Sequence, residues 1–182
     1  MLLKEVLRGA EKAGADTRLF ILSEMKFSPC THCEGCLAEG KCVINDDMSL
    51  LYPELESLDV LVLASPIYFY GLTAQAKAMV DRCEAFWARK YVLKKPISRT
   101  KRKGVFISVG GARFPDLFEH AKATVKLFFR TIDVEYRAEL LFPGVEQKGA
   151  IKEHPTALKE AFLLGERLAQ EVLDLAGKES SR

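Results

Sequence analysis

The stretch that decides the fold is Asp59–Gly71, with the sequence DVLVLASPIYFYG. Its first half, Asp59–Ala64, is a continuous apolar run of strand length, which is typical of a parallel strand buried on both faces. Its second half begins with Ser65 and Pro66, two residue types that favour turns, and ends at Gly71 after a run of aromatic side chains. Because a strand buried on both faces needs a layer of helices on each side, the stretch predicts an α/β fold.

Strands and helices alternate outward from this stretch. Apolar residues at helical spacing predict helices over residues 2–13, 47–57, 73–86, 115–131 and 155–176. Short apolar runs predict further strands over residues 17–22, 103–109 and 134–141. The alternation indicates a doubly wound parallel sheet in a three-layer α/β/α arrangement. Asp46 and Asp47 can cap the second helix, in which Pro53 is expected to cause a kink or a break.

Length and composition fit one globular domain over residues 1–182, with a cysteine-rich loop at residues 23–45. The 27 basic residues nearly balance the 25 acidic ones, so charge gives no reason to expect a nucleic acid or a membrane as partner. No apolar run is long enough to span a bilayer, and the first residues do not resemble a secretory signal. We therefore expect a cytoplasmic protein, in which clustered cysteines indicate metal, cluster or redox chemistry rather than disulfides.

The most informative motif is Cys30–Cys42, with the sequence CTHCEGCLAEGKC and the spacing C-x2-C-x2-C-x5-C. The short gaps let one tight turn aim successive thiolates at a common centre, and Gly35 and Gly40 relieve the backbone where it wraps closely. Four thiolates can hold a [4Fe–4S] cluster or a tetrahedral zinc ion. Three closely spaced cysteines with a nearby fourth favour the cluster, and the remaining alternative is that no metal binds. His32 is expected to be a solvated loop residue, and Cys83 a small core residue.

Two stretches follow predicted strand ends, where ligands bind in doubly wound sheets. They are Ser65–Gly71 and the residues after the strand at 103–109, which begin with Gly110 and Gly111. The first offers backbone polar groups and aromatic faces that suit a flat heterocycle such as a flavin ring. The alternative is an ordinary strand-to-helix turn capped by Ser65.

Residues 28–82 carry a family resemblance. The cysteine motif, Asp46-Asp47-Met48, the Ser65–Phe69 turn, Lys77 and Asp81-Arg82 resemble in type and order the iron–sulfur flavoproteins of the NADPH-dependent FMN reductase (flavodoxin-like) superfamily. The resemblance covers roughly residues 15–141 and is generic in the last helix.

The resemblance implies a flavodoxin-like fold, bound FMN, a [4Fe–4S] cluster and electron transfer between the two. It implies an NAD(P)H-dependent oxidoreductase, with NAD(P)H or a ferredoxin-like protein as donor, that forms a homodimer or homotetramer. The implied cluster ligands are Cys30, Cys33, Cys36 and Cys42. The residues implied at the flavin are Ser65, Pro66, Ile67, Tyr68, Phe69, Val109, Gly110 and Gly111. No side-chain constellation for acyl or phosphoryl chemistry is visible, so we name no general acid or base.

The start of the sequence departs from the family pattern. The family begins with a strand and a turn that holds the FMN phosphate at a helix N-terminus, whereas residues 2–13 already match that helix. We expect that Met1 is an internal methionine of a longer protein. The alternative is a variant in which residues 17–22 pair directly with residues 59–64.

Two further alternatives concern function. The chain could be a non-enzymatic binding module, stabilised by zinc or degenerate and without FMN, or a flavin reductase whose cysteines stay thiols. The basic stretch Arg89–Lys103 holds eight Lys and Arg residues and no acid. It is either an anion site or a solvated loop, and the solvated loop is the favoured interpretation.

Overall fold

The computed structural model describes the backbone of residues 1–179 and the side chains of residues 1–175. In chain order the helices are α1 (Leu2–Lys12), α2 (Met48–Ser57), α3 (Ala74–Arg82), α4 (Glu84–Trp87), α5 (Glu119–Thr131) and α6 (Ala157–Glu179). A π-helical turn, Ala88–Val92, continues α4, and a 3-10 turn, Ala150–Glu153, precedes α6. The strands are β1 (Val60–Ala64), β2 (Arg102–Gly110) and β3 (Val134–Pro143).

The three strands form one parallel sheet in the order β1-β2-β3. Val60 lies opposite Lys103, and Ala64 lies opposite Ile107. Because all strands run the same way, their carboxyl ends meet at a single edge of the sheet. The segments that follow β1 and β2 are therefore neighbours in space.

Helices cover both faces of the sheet, which confirms the predicted three-layer α/β/α architecture. On one face, α2, α3 and α5 pack with Leu63 and Phe106 into a core that also holds Cys83. On the other face, α1 and α6 pack with Val105 and Ile107. Successive residues of β2 point to opposite cores, as a strand buried on both faces requires.

The strand predicted over residues 17–22 is wrong. This segment has no strand pairing, and β1 pairs with β2 alone among the described residues, so the direct pairing of residues 17–22 with residues 59–64 is also wrong. Phe20 and Leu22 pack against the first core, whereas Leu19 and Ile21 are about 40% exposed. The alternation of buried and exposed side chains is that of extended chain, but no neighbouring backbone completes a ladder.

Two helix predictions also need correction. Pro53 lies inside α2 without dividing it, because Leu51 and Leu55 on the same helix are buried in the core and outweigh the one lost hydrogen bond. The helix predicted over residues 73–86 breaks at Cys83, after α3, and resumes as α4 and the π-helical turn.

None of the helices in the described part of the chain combines the length and the apolar character that a membrane crossing requires.

Candidate functional site

The cysteine loop, residues 23–45, is closed by a neck formed by Lys26, Ser28, Asp46 and Asp47. The Lys26 amide donates to the Asp47 carboxylate at 2.6 Å, and the Asp47 amide donates to the Lys26 carbonyl at 3.1 Å. Asp46 accepts hydrogen bonds from the amides of Ser28 and Met48, both at 3.1 Å. The two ends of the loop are thus joined by protein hydrogen bonds alone.

Arg82, the last residue of α3, fastens this neck to the core. Its side chain is 0% exposed and forms a two-pronged pair with Asp46, with Nη1–Oδ2 at 2.6 Å and Nη2–Oδ1 at 3.0 Å. Nη1 also donates to the Ser28 carbonyl at 2.8 Å, and Nη2 donates to the Ile44 carbonyl at 3.3 Å. The remaining donor, Nε, is buried and has no hydrogen-bond partner in the part of the chain that the structure describes.

A pocket of about 420 Å³, the cysteine pocket, lies between the loop and the end of α3. All four cysteines of the motif line it, together with Arg82 and apolar side chains. Its full lining is Cys30, His32, Cys33, Glu34, Cys36, Leu37, Cys42, Val43, Ile44, Arg82, Glu84, Ala85, Trp87 and Val92. The structure therefore brings the four predicted cluster residues to one cavity.

The loop backbone winds tightly around this pocket. His32 and Glu34, on either side of Cys33, adopt left-handed φ values of 53° and 59°. Backbone of alternating hand directs successive N–H groups to one side, which is a recurrent arrangement at iron–sulfur sites. A Cβ on Gly35 would lie 2.8 Å from Val43, and one on Gly40, whose φ is +70°, would lie 2.6 Å from Arg89. Both glycines therefore stand where the sequence predicts close wrapping.

The donors that line the pocket include four cysteine sulfurs, which are ligands for zinc and for iron–sulfur clusters. Zinc would draw its thiolates to about 2.3 Å from one point. In residues 1–175, no three His, Cys, Asp or Glu side chains are grouped closely enough to hold a metal ion. The four soft sulfur donors around one cavity are of the type that hold an iron–sulfur cluster or a zinc ion.

The thiols differ in their surroundings. Burial acts to raise the pKa of Cys42, but the nearby Ile44 amide, Tyr52 and Arg82 outweigh burial and lower that pKa. Burial raises the pKa of Cys36. Cys83 is 2% exposed in the core, where burial raises its pKa strongly, so it is the core residue that its place on the helix predicts.

The second candidate site lies where β1 and β2 end. The Ser65 amide donates to the Ile107 carbonyl at 3.0 Å, and the Ile67 amide donates to the Val109 carbonyl at 2.9 Å. The two predicted flavin segments, residues 65–69 and 109–111, are thus hydrogen-bonded neighbours.

Ser65 is 3% exposed and its hydroxyl is used inside the protein. It accepts the Thr73 amide at 3.1 Å and donates to the Pro66 carbonyl at 3.0 Å. The Ser65 carbonyl accepts the Ser108 hydroxyl at 2.7 Å. Ser65 therefore fixes the course of the turn and the start of α3, whereas Pro66, Tyr68 and Phe69 are exposed.

Residues Tyr68–Gly71 form a tight turn, the aromatic turn, closed by two hydrogen bonds of 3.1 and 2.9 Å between Tyr68 and Gly71. Its central residues, Phe69 and Tyr70, have φ values of 49° and 63°, as in a type I′ turn. Phe69 is fully exposed. Two aromatic residues in left-handed conformation are strained, and such strain concentrates at functional sites.

Gly110 and Gly111 differ in their packing. Gly110 is buried, and a Cβ there would lie 2.9 Å from Leu117. Gly111 is exposed beside Glu146. Helix α3 begins next to Ser65 and ends at Arg82, so it connects the turn after β1 to the cysteine pocket.

The basic stretch Arg89–Lys103 is less solvated than expected. Arg89 pairs with Glu56, Lys90 with Asp133, and Lys103 with Glu171. Arg102 is buried, and its guanidinium donates to the carbonyls of Leu55, Glu56 and Ile132. The interpretation as a solvated loop is therefore wrong for these residues, which hold helices and strands together.

The sequence alone assigned no role to two residues of these sites, Arg82 at the cysteine pocket and Thr73 after the aromatic turn. Arg82 matched the family pattern, but its contacts with the loop depend on residues 36 to 54 positions away. Thr73 caps α3 by accepting the Ala76 amide at 3.4 Å and contacts Ser65. A threonine just before a helical pattern is a capping signal, so Thr73 could have been found.

Three comparisons place the chain among known proteins. The model of the family described as NADPH-dependent FMN reductase matches residues 1–137. An iron-sulfur flavoprotein of Archaeoglobus fulgidus is 41% identical over 61% of this chain and 54% of its own length. An iron-sulfur flavoprotein of Methanosarcina thermophila is 32% identical over 59% of this chain and 53% of its own length. The chain thus spans about half the length of the curated relatives it matches.

Among solved structures, the NAD(P)H:quinone oxidoreductase from Methanothermobacter marburgensis superposes with a TM-score of 0.68. The superposition covers 92% of this chain and 89% of the other, at 19% identity. This likeness confirms the predicted flavodoxin-like fold.

Proposed function

The chain belongs to the NADPH-dependent FMN reductase family, and on this premise we propose that it is an FMN-dependent oxidoreductase of the iron–sulfur flavoprotein type. In this proposal Cys30, Cys33, Cys36 and Cys42 hold a [4Fe–4S] cluster, and the ends of β1 and β2 hold the ring of FMN. Electrons pass between the two centres. The electron donor is NAD(P)H or a ferredoxin-like protein.

The observation that carries the proposal is that all four cysteines of the motif line one pocket. The hydrogen-bonded neck joins the two ends of the loop that carries these cysteines. The relatives named iron-sulfur flavoprotein support the same assignment. The alternative function is a zinc-stabilised module, which would use the same four cysteines.

The groups that bind would supply the redox chemistry: a flavin exchanges electrons in pairs or singly, and an iron–sulfur cluster exchanges them one at a time. The chain's own residues position those groups. Ser65 and Thr73 fix the turn after β1, and the aromatic turn presents Tyr68 and Phe69 beside the end of β2. Val43 and Trp87 line the same pocket as the four cysteines and would lie beside the group that these hold.

An assembly of two or four copies is part of the proposal. Leu37, Val43, Trp87 and Val92 line the cysteine pocket and are 37–64% exposed. A cluster of exposed apolar side chains around one opening favours contact with another protein surface. The expected oligomer is a homodimer or homotetramer, which sedimentation of the purified protein measures directly.

The test is the cofactor content of protein purified without air. We expect iron and acid-labile sulfide in equal amounts, a visible absorbance that bleaches with dithionite, and FMN that NAD(P)H reduces. FMN is titrated into the 182-residue chain, and its binding is measured by the change in flavin fluorescence. A colourless protein with one tightly bound zinc would support the alternative module, and flavin without iron would support a reductase with free thiols.

A further inference from the structure

We infer that Arg82 is a positioning residue for the cysteine loop and that its charge, opposed by Asp46, sets the reduction potential of the group the loop holds. This inference rests on the proposed function. Nothing in the family match or in the names of the relatives assigns a role to either residue.

Arg82 is buried beside the cysteine pocket. The Arg82 side chain is 0% exposed and lines the cysteine pocket, where its Nε–H has no partner among the side chains of residues 1–175 or the described backbone. A buried donor without a partner lowers the stability of a fold, and such groups in native proteins call for an explanation. A sulfur acceptor in the pocket would satisfy this donor once the loop is loaded.

The other donors of Arg82 hold the loop at both of its ends. Nη1 reaches the Ser28 carbonyl, two residues before Cys30, and Nη2 reaches the Ile44 carbonyl, two residues after Cys42. The planar guanidinium can serve these carbonyls and the Asp46 carboxylate together because its five donors are fixed in a fork. A lysine at this position would keep the charge but lose the fork.

The charges of Arg82 and Asp46 beside the pocket bear on the reduction potential. Reduction adds one negative charge to a cluster, so a nearby cation favours the reduced form and a nearby anion opposes it. Arg82 and Asp46 form a close pair, but only Arg82 lines the pocket. Removal of one partner therefore leaves the other uncompensated, and the two removals are expected to act in opposite directions.

The experiment compares the wild-type chain with Arg82→Gln, Arg82→Lys and Asp46→Asn. The matched control is Arg137→Gln, because Arg137 is half-exposed and pairs with Glu171 away from the loop. Each protein is reconstituted without air with ferrous iron and sulfide. The midpoint potential is followed by EPR, and cluster loss is followed during challenge with an iron chelator.

We expect Arg82→Gln to lower the midpoint potential and Asp46→Asn to raise it. Arg82→Lys should keep the potential near that of the wild type but lose the cluster on the order of 10–100-fold faster, as loss of outer-shell partners does in metal sites. Arg137→Gln should match the wild type in both measurements. Shifts of the same sign in Arg82→Gln and Asp46→Asn, or no shift in either, would overturn the assigned role of the charge.

A second measurement separates this inference from the proposed function. Amide hydrogen exchange of residues 23–45 is compared in the metal-free wild type and in metal-free Arg82→Lys, with far-UV circular dichroism to show that both are folded. Faster exchange in the variant supports the positioning role, and equal exchange overturns it. A wild type that takes up no iron contradicts the proposed function, while the exchange experiment still decides whether Arg82 positions the loop. If Arg82→Gln does not fold, the potentials of Asp46→Asn and Arg82→Lys decide the role of the charge.

Discussion

Phe69 and Tyr70 occupy the two central positions of a type I′ turn, which Asn-Gly pairs usually fill because those residues tolerate a positive φ. The rest of the protein must therefore maintain a turn that its own residues disfavour. Tyr70 stacks on Phe114, with ring centres 6.2 Å apart, and this contact offsets part of the conformational free energy that the turn costs. Phe69 is fully exposed and has no such stacking partner among the side chains of residues 1–175. A side chain kept there at a cost in stability is best explained by a ligand, which in our proposal is the flavin ring.

We predict that Phe69→Asn stabilises the protein and weakens flavin binding. Asparagine adopts the left-handed conformation more readily, and no packed contact is lost, so the free energy of unfolding should rise by about 1 kcal/mol. The melting temperature of the apo protein measures the first effect, and flavin titration measures the second. Tyr68→Asn in the same turn is the control, since Tyr68 is exposed but not left-handed and its substitution should not stabilise. A Phe69→Asn protein that is less stable than the wild type would contradict the strain.

At the residue scale, the spacing of the four cysteines in the sequence was enough to group them. The gaps between Cys30, Cys33, Cys36 and Cys42 indicate a shared centre before any fold is known, and the structure places all four around one pocket. The sequence could not predict the partners of Arg82, because they are brought together only by the packing of α3 against the loop neck. The sequence also could not predict that the Ser65 hydroxyl accepts a hydrogen bond from the Thr73 amide.

Among the elements, α1 and α6 cross at unusually short range through two glycines. A Cβ on Gly9 would lie 2.0 Å from the Phe162 carbonyl oxygen, and one on Gly165 would lie 1.9 Å from the Val6 carbonyl oxygen. Both obstacles are helix backbone, which cannot rotate away as a side chain would. The apolar spacing of residues 2–13 predicted the right face of α1 through Leu2 and Val6 but missed Gly9, because a glycine contributes nothing to an apolar pattern.

We predict that Gly9→Ala destabilises the protein even though alanine favours a helix more than glycine by about 1 kcal/mol. Forcing the helices apart should cost roughly 1–3 kcal/mol or more, and the partner contacts of α1 would be lost with it. Thermal and urea unfolding measure the net effect. Lys4→Ala, at an exposed position of the same helix, is the control and should change stability little. Equal stabilities of the two variants would show that α1 does not cross α6 this closely.

Asp133, which follows α5, holds the segment before β2 through its carboxylate. Its carboxylate accepts the amides of Ile97 and Ser98 at 2.7 and 3.2 Å and pairs with Lys90. Burial acts to raise the pKa of Asp133, but these partners outweigh burial and lower it below 3.8. The charged carboxylate therefore stabilises the fold fully above the unfolded-state pKa, and that contribution is lost as the pH falls through the lower folded-state value.

We expect Asp133→Asn to lower the free energy of unfolding at neutral pH by roughly 1.5–3 kcal/mol, the contribution of hydrogen bonds to a charged group. Asparagine also tolerates the φ of 58° at this position, so backbone strain does not obscure the result. The difference from the wild type should shrink below about pH 4. Urea unfolding across this range measures it, with Asp16→Asn at an exposed position as control. A difference that stays constant with pH would contradict the assigned role of the charge.

At the scale of elements, apolar runs of strand length were the most predictable part of the chain, although only β2 is buried along most of its length. The apolar runs at residues 59–64, 103–109 and 134–141 correspond to β1, β2 and β3 within two residues at each end. Residues 17–22 have the same local character but no strand beside them to pair with. Strand formation depends on a neighbouring backbone, which composition does not reveal. The break at Cys83 and the following π-helical turn were not visible in the periodicity either.

In the whole molecule, the two cores on either side of the sheet contain none of the four loop cysteines. The neck of the cysteine loop is likewise closed by backbone amides, carboxylates and Arg82. The fold should therefore not depend on a metal, in contrast to small domains that unfold when the metal is removed. That residues 1–182 form a single domain stays a prediction.

We predict that chelation of iron leaves the protein folded. Far-UV circular dichroism before and after chelation should coincide, and thermal unfolding should remain a single cooperative transition with a lower midpoint, since the lost group stabilised only the loop. Re-addition of iron and sulfide should restore the original midpoint. Loss of helical signal on chelation would show instead that the metal organises the whole chain.

The most direct test of the account is to measure iron and acid-labile sulfide in five single variants purified without air. Cys30→Ser, Cys33→Ser, Cys36→Ser and Cys42→Ser each remove one thiol from the cysteine pocket, and Cys83→Ala removes a buried core thiol as the control. We predict a wild type with about four iron atoms per chain, large losses in all four serine variants, and retention in Cys83→Ala. A wild type without iron, or a serine variant that keeps its full iron content, would contradict the claim that these four thiolates share one centre.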